Sequence, residues 1–218
     1  IKRIISKSFT DGIFLKNENT ELSSFIKIDI NIDNSKLIFF ENNSLKFVQD
    51  FDFGFDLVIR DIEKVTGLNK DLVEELLLKS DFSKQDIENN FIEKEFFKNN
   101  NYRKIKKKLI LDVAEARIKE FSEIIISNNI NLISFLKSKI SIFLKFDKKI
   151  KINVLFAKYK IFFSSRNEFD VNVIENFDDN KNYSNIINLV QFGWKSEAVP
   201  MAQVKKSTIT RLFERIFN

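Results

Sequence analysis

The sequence predicts an α/β or α+β unit. Between residues 25 and 48, short runs rich in Ile and Phe alternate apolar with polar positions and are broken by Asp/Asn turns. From residue 56 the apolar spacing changes to the three-and-four rhythm of helices, and that rhythm returns between about Lys104 and Ser127. Strand-like segments and then a helix follow toward the C-terminus.

Local patterns define the elements. Phe25 to Ile32 sets Ile26, Ile28, Ile30 and Ile32 in alternation with polar Lys27, Asp29 and Asn31, the period-two signature of a strand. A turn at Asp33-Asn34 leads to a second strand, Lys36–Phe40, and Glu41-Asn42-Asn43 turns into a third, Leu45–Val48. Residues 56–66 place Leu57, Ile59 or Arg60, Ile62 and Val65 on one helical face, with Gly67 as the C-cap. Asn69 can cap the next helix, Leu72–Leu78, by accepting a hydrogen bond from a first-turn N–H. Residues 82–100 are polar and loop-like. The long helix from about Lys104 to Ser127 takes Leu109, Val113, Ala116, Ile118, Phe121 and Ile124 or Ile125 as its buried stripe. Residues 131–163 fit helix and strand equally. Asn185 to Phe192 reads as a short helix, and Gly193 opens a polar linker containing Pro200 before a terminal helix.

Composition narrows the chemistry. The 218 residues suffice for one large domain or two small subdomains, and the first residue, Ile1, suggests a fragment. The formal charge of +5 is mild and carries no nucleic-acid motif with it. The densest basic run, Arg103, Lys104, Lys106, Lys107 and Lys108, reads as a solvated helix face. With no Cys and no His, the chain lacks thiolate chemistry, the commonest metal ligand and the usual general base. Both absences weigh against a hydrolase or a zinc protein, and no metal site is expected. No apolar run reaches the ~20 residues that span a bilayer. A cytoplasmic protein with at most peripheral membrane contact is expected.

Seven segments in order resemble the C-terminal half of FtsA, the bacterial actin-like cell-division family. "FLKNENTELSSFIKIDI" (Phe14–Ile30) resembles the passage "LTEDERELGV" leading into the first strand of the second lobe, with Asp29 where the family has the Asp of its "DIGGGTTD" phosphate loop. "FDFGFDLVIRDIEKVTGL" (Phe51–Leu68) is similar to the helix entry containing "DIA", matching at Gly54 and Asp61-Ile62. "VEELLLK" (Val73–Lys79) resembles "AExxK", with Lys79 matching and the Glu spacing off by one. "DVAEARIKEFSEII" (Asp112–Ile125) and "YSNIINLVQFG" (Tyr183–Gly193) resemble the family's long helix and its "YSTAVGLLxYG" segment. A variable linker and an amphipathic terminal helix complete the series.

The resemblance implies an actin-like, ribonuclease H-like second lobe. Residues 1–21 would end the first lobe, 22–52 and 129–194 would form subdomain 2A, 53–128 subdomain 2B, 195–204 a linker, and 205–218 the membrane helix. It implies ATP with Mg as the cofactor, with Asp29, Asn31, Asn34 and Lys79 as candidate binding residues and none assigned to catalysis. The departures argue against a full site. Asn31, Ile32 and Asp33 stand in place of three glycines, and the loop's second Asp falls on Lys36. Glycine lets backbone N–H groups approach phosphate, and Asp33 adds repulsion. The adenosine loop "LTGG" is expected within 140–160, where the chain has no glycine.

The tail can be read without any resemblance. Ile209, Leu212, Phe213, Ile216 and Phe217 fall on one helical face, Ser207 or Thr208 can cap it, and Lys205, Lys206, Arg211 and Arg215 flank it. Bulky apolar residues with basic flanks are the pattern of a helix lying on an anionic membrane surface. At ~1.5 Å per residue it is about 15–18 Å long, too short to span a ~30 Å core. Each basic residue near such a surface contributes about 1 kcal/mol, so one copy binds weakly and a polymer binds by avidity. Two functions follow. The first is an FtsA-like protein that self-associates, tethers FtsZ polymers to the inner membrane at the division site and scaffolds other division proteins, with a degenerate nucleotide site. The second is an actin-like ATP-binding protein with divergent loops and at most weak ATPase activity. The basic run 103–108 is the candidate FtsZ contact.

Overall fold

The computed structural model describes residues 5–79, 82, 90–97, 101–133, 135, 140–150, 152–164, 169–174, 184, 186 and 187. Five strands, β1 (Phe25–Ile30), β2 (Ser35–Glu41), β3 (Ser44–Phe51), β4 (Ser141–Phe146) and β5 (Asp170–Ile174), form one sheet of order β3-β2-β1-β4-β5. β1, β2 and β3 are antiparallel neighbours, while β4 runs parallel to both β1 and β5. The helices are α1 (Lys7–Glu18), α2 (Asp56–Thr66), α3 (Lys70–Lys79), α4 (Lys107–Ser122), α5 (Ile130–Ile133) and α6 (Asn153–Ser164).

The three expected strands form, with shifted ends. β1 stops at Ile30, and the β2–β3 turn is made by Asn42 and Asn43 with φ of 51° and 61°. Asn tolerates that left-handed backbone, and two such residues make the turn that matches strand twist. Within residues 131–163 the described elements are the end of α5, then β4 and α6. Pairing with buried β1 selects the strand, because each backbone group in the sheet interior must find a partner.

Helix phases differ from the expected stripes. In α2 the buried residues are Asp56, Val58, Ile59, Ile62 and Thr66, while Val65 is 55% exposed. Gly67 caps this helix as expected, at φ 66°, and Asn69 accepts the N–H of Leu72 at 2.9 Å. In α4, Ile110, Leu111, Ala114, Ile118 and Phe121 face the core, and Leu109 points outward. The helix then widens into a π turn, Glu123–Ser127. That extra residue per turn rotates Ile125 and Ile126 inward and leaves Ile124 exposed. α4 begins later than expected because Lys106 bridges to Phe91 as a strand would. The loop-like stretch before it holds a 3-10 turn, Lys94–Phe97, and buries Ile92 and Phe97. Two expected helices, Asn185–Phe192 for the most part and 205–218 entirely, lie outside the described residues.

The sheet has two covered faces. Ile26, Ile28, Ile30, Leu37, Phe39, Ile142 and Leu144 meet the core built by α2, α4 and α6. On the other face Phe25, Ile38, Phe40 and Phe143 meet α1 through Ile13 and Leu15. Segment 1–21 carried no helix expectation, so α1 is a finding. Its consequence is direct: the polar positions of β1 lie under a helix rather than in water, and Lys27 is fully buried.

Candidate functional site

The β1–β2 turn holds two of the four candidate binding residues, Asn31 and Asn34, and Asp29 lies just before it within β1. The N–H of Asn31 donates to the carbonyl of Asn34 at 2.9 Å, and the Asn31 side-chain amide donates to Asn34 Oδ1 at 2.7 Å. The start of α2 is fastened beneath: Phe55 N–H donates to Asn31 O and Asp56 N–H to Ile32 O, both at 2.9 Å. This approach requires Gly54, whose Cβ, were there one, would lie 2.5 Å from both carbonyl oxygens. The Ser35 hydroxyl donates to Phe53 O at 2.8 Å and completes the clasp.

Asp29 belongs to a charged cluster under α1. Strand alternation points Phe25, Lys27 and Asp29 to the α1 face. The Lys27 ammonium lies 2.5 and 2.6 Å from the two Asp29 oxygens and 3.1 Å from Asp11 Oδ2 on α1. Across the sheet Asp29 sits opposite Lys36 on β2 and Lys145 on β4. Lys145 is pushed below the ordinary lysine range by burial and next by the Lys27 charge. A cleft of about 390 Å³ opens here, bordered by Lys7, Asp29, Lys36, Lys145 and Lys148. A larger cleft of about 740 Å³ adjoins it, between the end of β4 and α6, lined by Phe146, Phe156, Lys160 and Asn172. The connection between β4 and α6 falls in the 140–160 window expected for an adenosine loop. There Asp147 Oδ1 accepts the Lys149 N–H at 2.9 Å, a side-chain turn in place of glycine.

Lys79 lies apart. It ends α3, bonds Glu75 at 2.8 Å and does not border the cleft with Asp29. The membrane-binding set, Lys205, Lys206, Ile209, Arg211, Leu212, Phe213, Arg215, Ile216 and Phe217, lies outside the described residues. The basic run is exposed at Arg103, Lys104 and Lys106, and Lys107 departs from that reading, 6% exposed and bonded to Glu93. Arg103 also donates to Thr66 O, and the Lys104 ammonium sits 4.6 Å from the Phe91 ring centre. Lys27, Asp11 and Lys145 were not among the sequence candidates. The available signal was Lys27 between Ile26 and Ile28 on the same face as Phe25, and Asp11 inside the apolar run of α1.

A nucleotide's phosphates do not fit this turn by the glycine-loop route. The only positive φ values among the described residues are at Asn42, Asn43 and Gly67, so residues 31–34 keep ordinary backbone. The Asn31 N–H is already used, and the first N–H groups of α2 hold the turn rather than facing a ligand. No group of three or more His, Cys, Asp or Glu able to hold a metal occurs among the described residues.

The fold is that of the actin-like ATPases, a mixed α/β sheet with flanking helices. No protein-family model matches the sequence, and no curated protein does. The chain is similar to MreB 5 of Spiroplasma citri bound to AMPPNP, with a TM-score of 0.50 and 13% identity over 97% of this chain and 61% of that one. It is also similar to a chain of the PilM–PilN type IV pilus biogenesis complex, with a TM-score of 0.53 and 11% identity over 84% of this chain and 48% of that one. The chain spans about half the length of the solved structures it matches.

Proposed function

We propose that this chain is the second lobe of an FtsA-like division protein that tethers FtsZ polymers to the cytoplasmic face of the inner membrane. In this reading subdomain 2B, residues 53–128, meets FtsZ, copies associate as actin-like filaments, and the nucleotide site is weakened. The observation that carries it is the amphipathic pattern from Lys205 to Phe217, which follows an actin-like lobe. Its five apolar side chains and four basic ones suit an anionic surface. The order of the seven FtsA-like segments adds support. Co-sedimentation of the chain with anionic liposomes is the test. Deleting residues 205–218 abolishes pelleting if the reading is right, and pelleting that survives the deletion removes its basis. Pull-down with FtsZ polymers tests the partner separately.

A second reading has one observation in its favour. The lysines around the 390 Å³ cleft, Lys7, Lys36, Lys145 and Lys148, offer side-chain cations where the turn lacks backbone donors. They would serve an actin-like protein that binds ATP through divergent loops. Titration with Mg-ATP separates this reading from the first.

A further inference from the structure

Two carboxylates converge under α1. Asp11 comes from the helix and Asp29 from the middle strand of the sheet, with side chains 3% and 17% exposed. Two acidic groups brought together away from water repel, so one must take up a proton or a cation must lie between them. Converging carboxylates are the ordinary donor set for a hard divalent cation. Here the cation is part of the chain: the fully buried Lys27 ammonium contacts both.

We propose that Lys27 is a built-in counter-cation, which occupies a two-carboxylate site and holds α1 on the sheet without any divalent ion. The geometry supports this over an incidental ion pair in three ways. Lys27 bonds both oxygens of Asp29 and Asp11 Oδ2 at once, so its ammonium stands where a bridging cation would. Its stem rises from β1 between Ile38 and Phe143, its register partners on either side, so the head group is delivered to one place. And Asp11 is one residue from Gly12, whose missing Cβ lets α1 lie flat on Phe40 and brings the acid within reach. Lys7, Lys36 and Lys145 border the same cleft, with Lys36 ion-paired to Asp50. The inference concerns the junction of α1 with the sheet and stands apart from the membrane and FtsZ reading.

Removing the ammonium should turn the vacated pair into a divalent-cation site. The test is thermal denaturation of the full chain in EDTA and in about 5 mM CaCl2 or MgCl2, where a cation bound by the native state alone raises the Tm. The wild type is expected to melt at one temperature in all three. Lys27→Ala, or Lys27→Gln where the shorter side chain folds too poorly to read, should melt lower in EDTA and regain several degrees with Ca2+. Asp11→Asn/Lys27→Met/Asp29→Asn, which lacks the carboxylates, should show no response. A wild type that is stabilised by either ion overturns the proposal. So does a failure of both single variants to gain any cation response, whether they are folded or not.

Discussion

Gly12 lies against the ring of Phe40 so closely that a Cβ on it would fall 1.9 Å from one ring carbon. Phe40 in turn stacks on Phe25 at 4.9 Å, with the rings 7° from parallel. The helix that covers the charged half of the sheet is thus seated by an aromatic stack that admits no extra atom. Gly12→Ala forces either the ring or the helix to move, and overpacking of this kind costs about 1–3 kcal/mol. Urea denaturation should show that loss, and a variant as stable as the parent would mean that α1 is not seated by this contact.

Gly54→Ala should be at least as damaging. Its new Cβ meets backbone at 2.5 Å, and backbone cannot swing aside as a side chain can. Relief requires lifting α2 from the β1–β2 turn and losing the two hydrogen bonds to Asn31 O and Ile32 O, each worth about 0.5–1.5 kcal/mol net. Faster amide exchange at Phe55 and Asp56 is the expected sign.

Asp56 makes stability depend on acid pH. Burial raises its pKa, but hydrogen bonds from Lys70 and Arg60 outweigh that and hold it below the usual carboxylate range. A depressed native pKa stabilises above the unfolded value of about 3.9, and that contribution disappears as pH falls through the native one. Asp56→Asn should cost on the order of 1–2 kcal/mol at neutral pH. The gap between variant and parent should close in denaturation curves taken at progressively lower pH below about 4.

Tyr159 carries a cost rather than a contact. It is wholly buried against Phe146 and Phe163, its hydroxyl has no hydrogen-bonding partner among the described residues, and burial raises its pKa strongly. An unmade buried hydrogen bond costs about 1–3 kcal/mol. Tyr159→Phe keeps the ring and removes the hydroxyl, so a higher melting temperature is expected. A lower one would reveal a partner for that oxygen.

Phe213→Glu tests the tail without shortening the chain. It places a charge at the centre of the apolar face and should reduce liposome binding nearly as far as deletion of 205–218. Raising salt should weaken the parent's binding only in part, since screening acts on Lys205, Lys206, Arg211 and Arg215 and not on the apolar contacts. Complete release by salt would point to an electrostatic contact alone.

Much of the sheet was legible because β1, β2 and β3 are neighbours in sequence and their alternation is local. The candidate site was legible only in part. Asn31 and Asn34 share one turn, as their spacing implies, while Asp29 stays in β1 and is governed by Lys27. A strand lysine normally reads as the wet face, and only α1, sixteen residues upstream at Asp11, makes that position dry. At the end of α4 the choice between Ile124 and Ile125 stayed open because a π turn has no signature in 3.6-residue periodicity, and both fit the helical pattern. β4 and α6 were ambiguous because both are apolar and Lys-rich, and what separates them is a parallel partner far away in the chain.

That distant partner imposes an order on folding. One edge of β1 is closed by β2 across a four-residue turn, an event of roughly microseconds for a hairpin. The other edge is closed by β4, whose Ser141 pairs with Phe25 more than a hundred residues away. Closing so long a loop costs chain entropy before the pairing returns anything, so non-local contacts of this kind come late and slow the whole chain. During that interval Phe25 to Ile30 presents an unpaired apolar edge. A nascent or refolding chain is therefore most exposed to wrong strand pairing along β1, and only arrival of β4 ends that exposure.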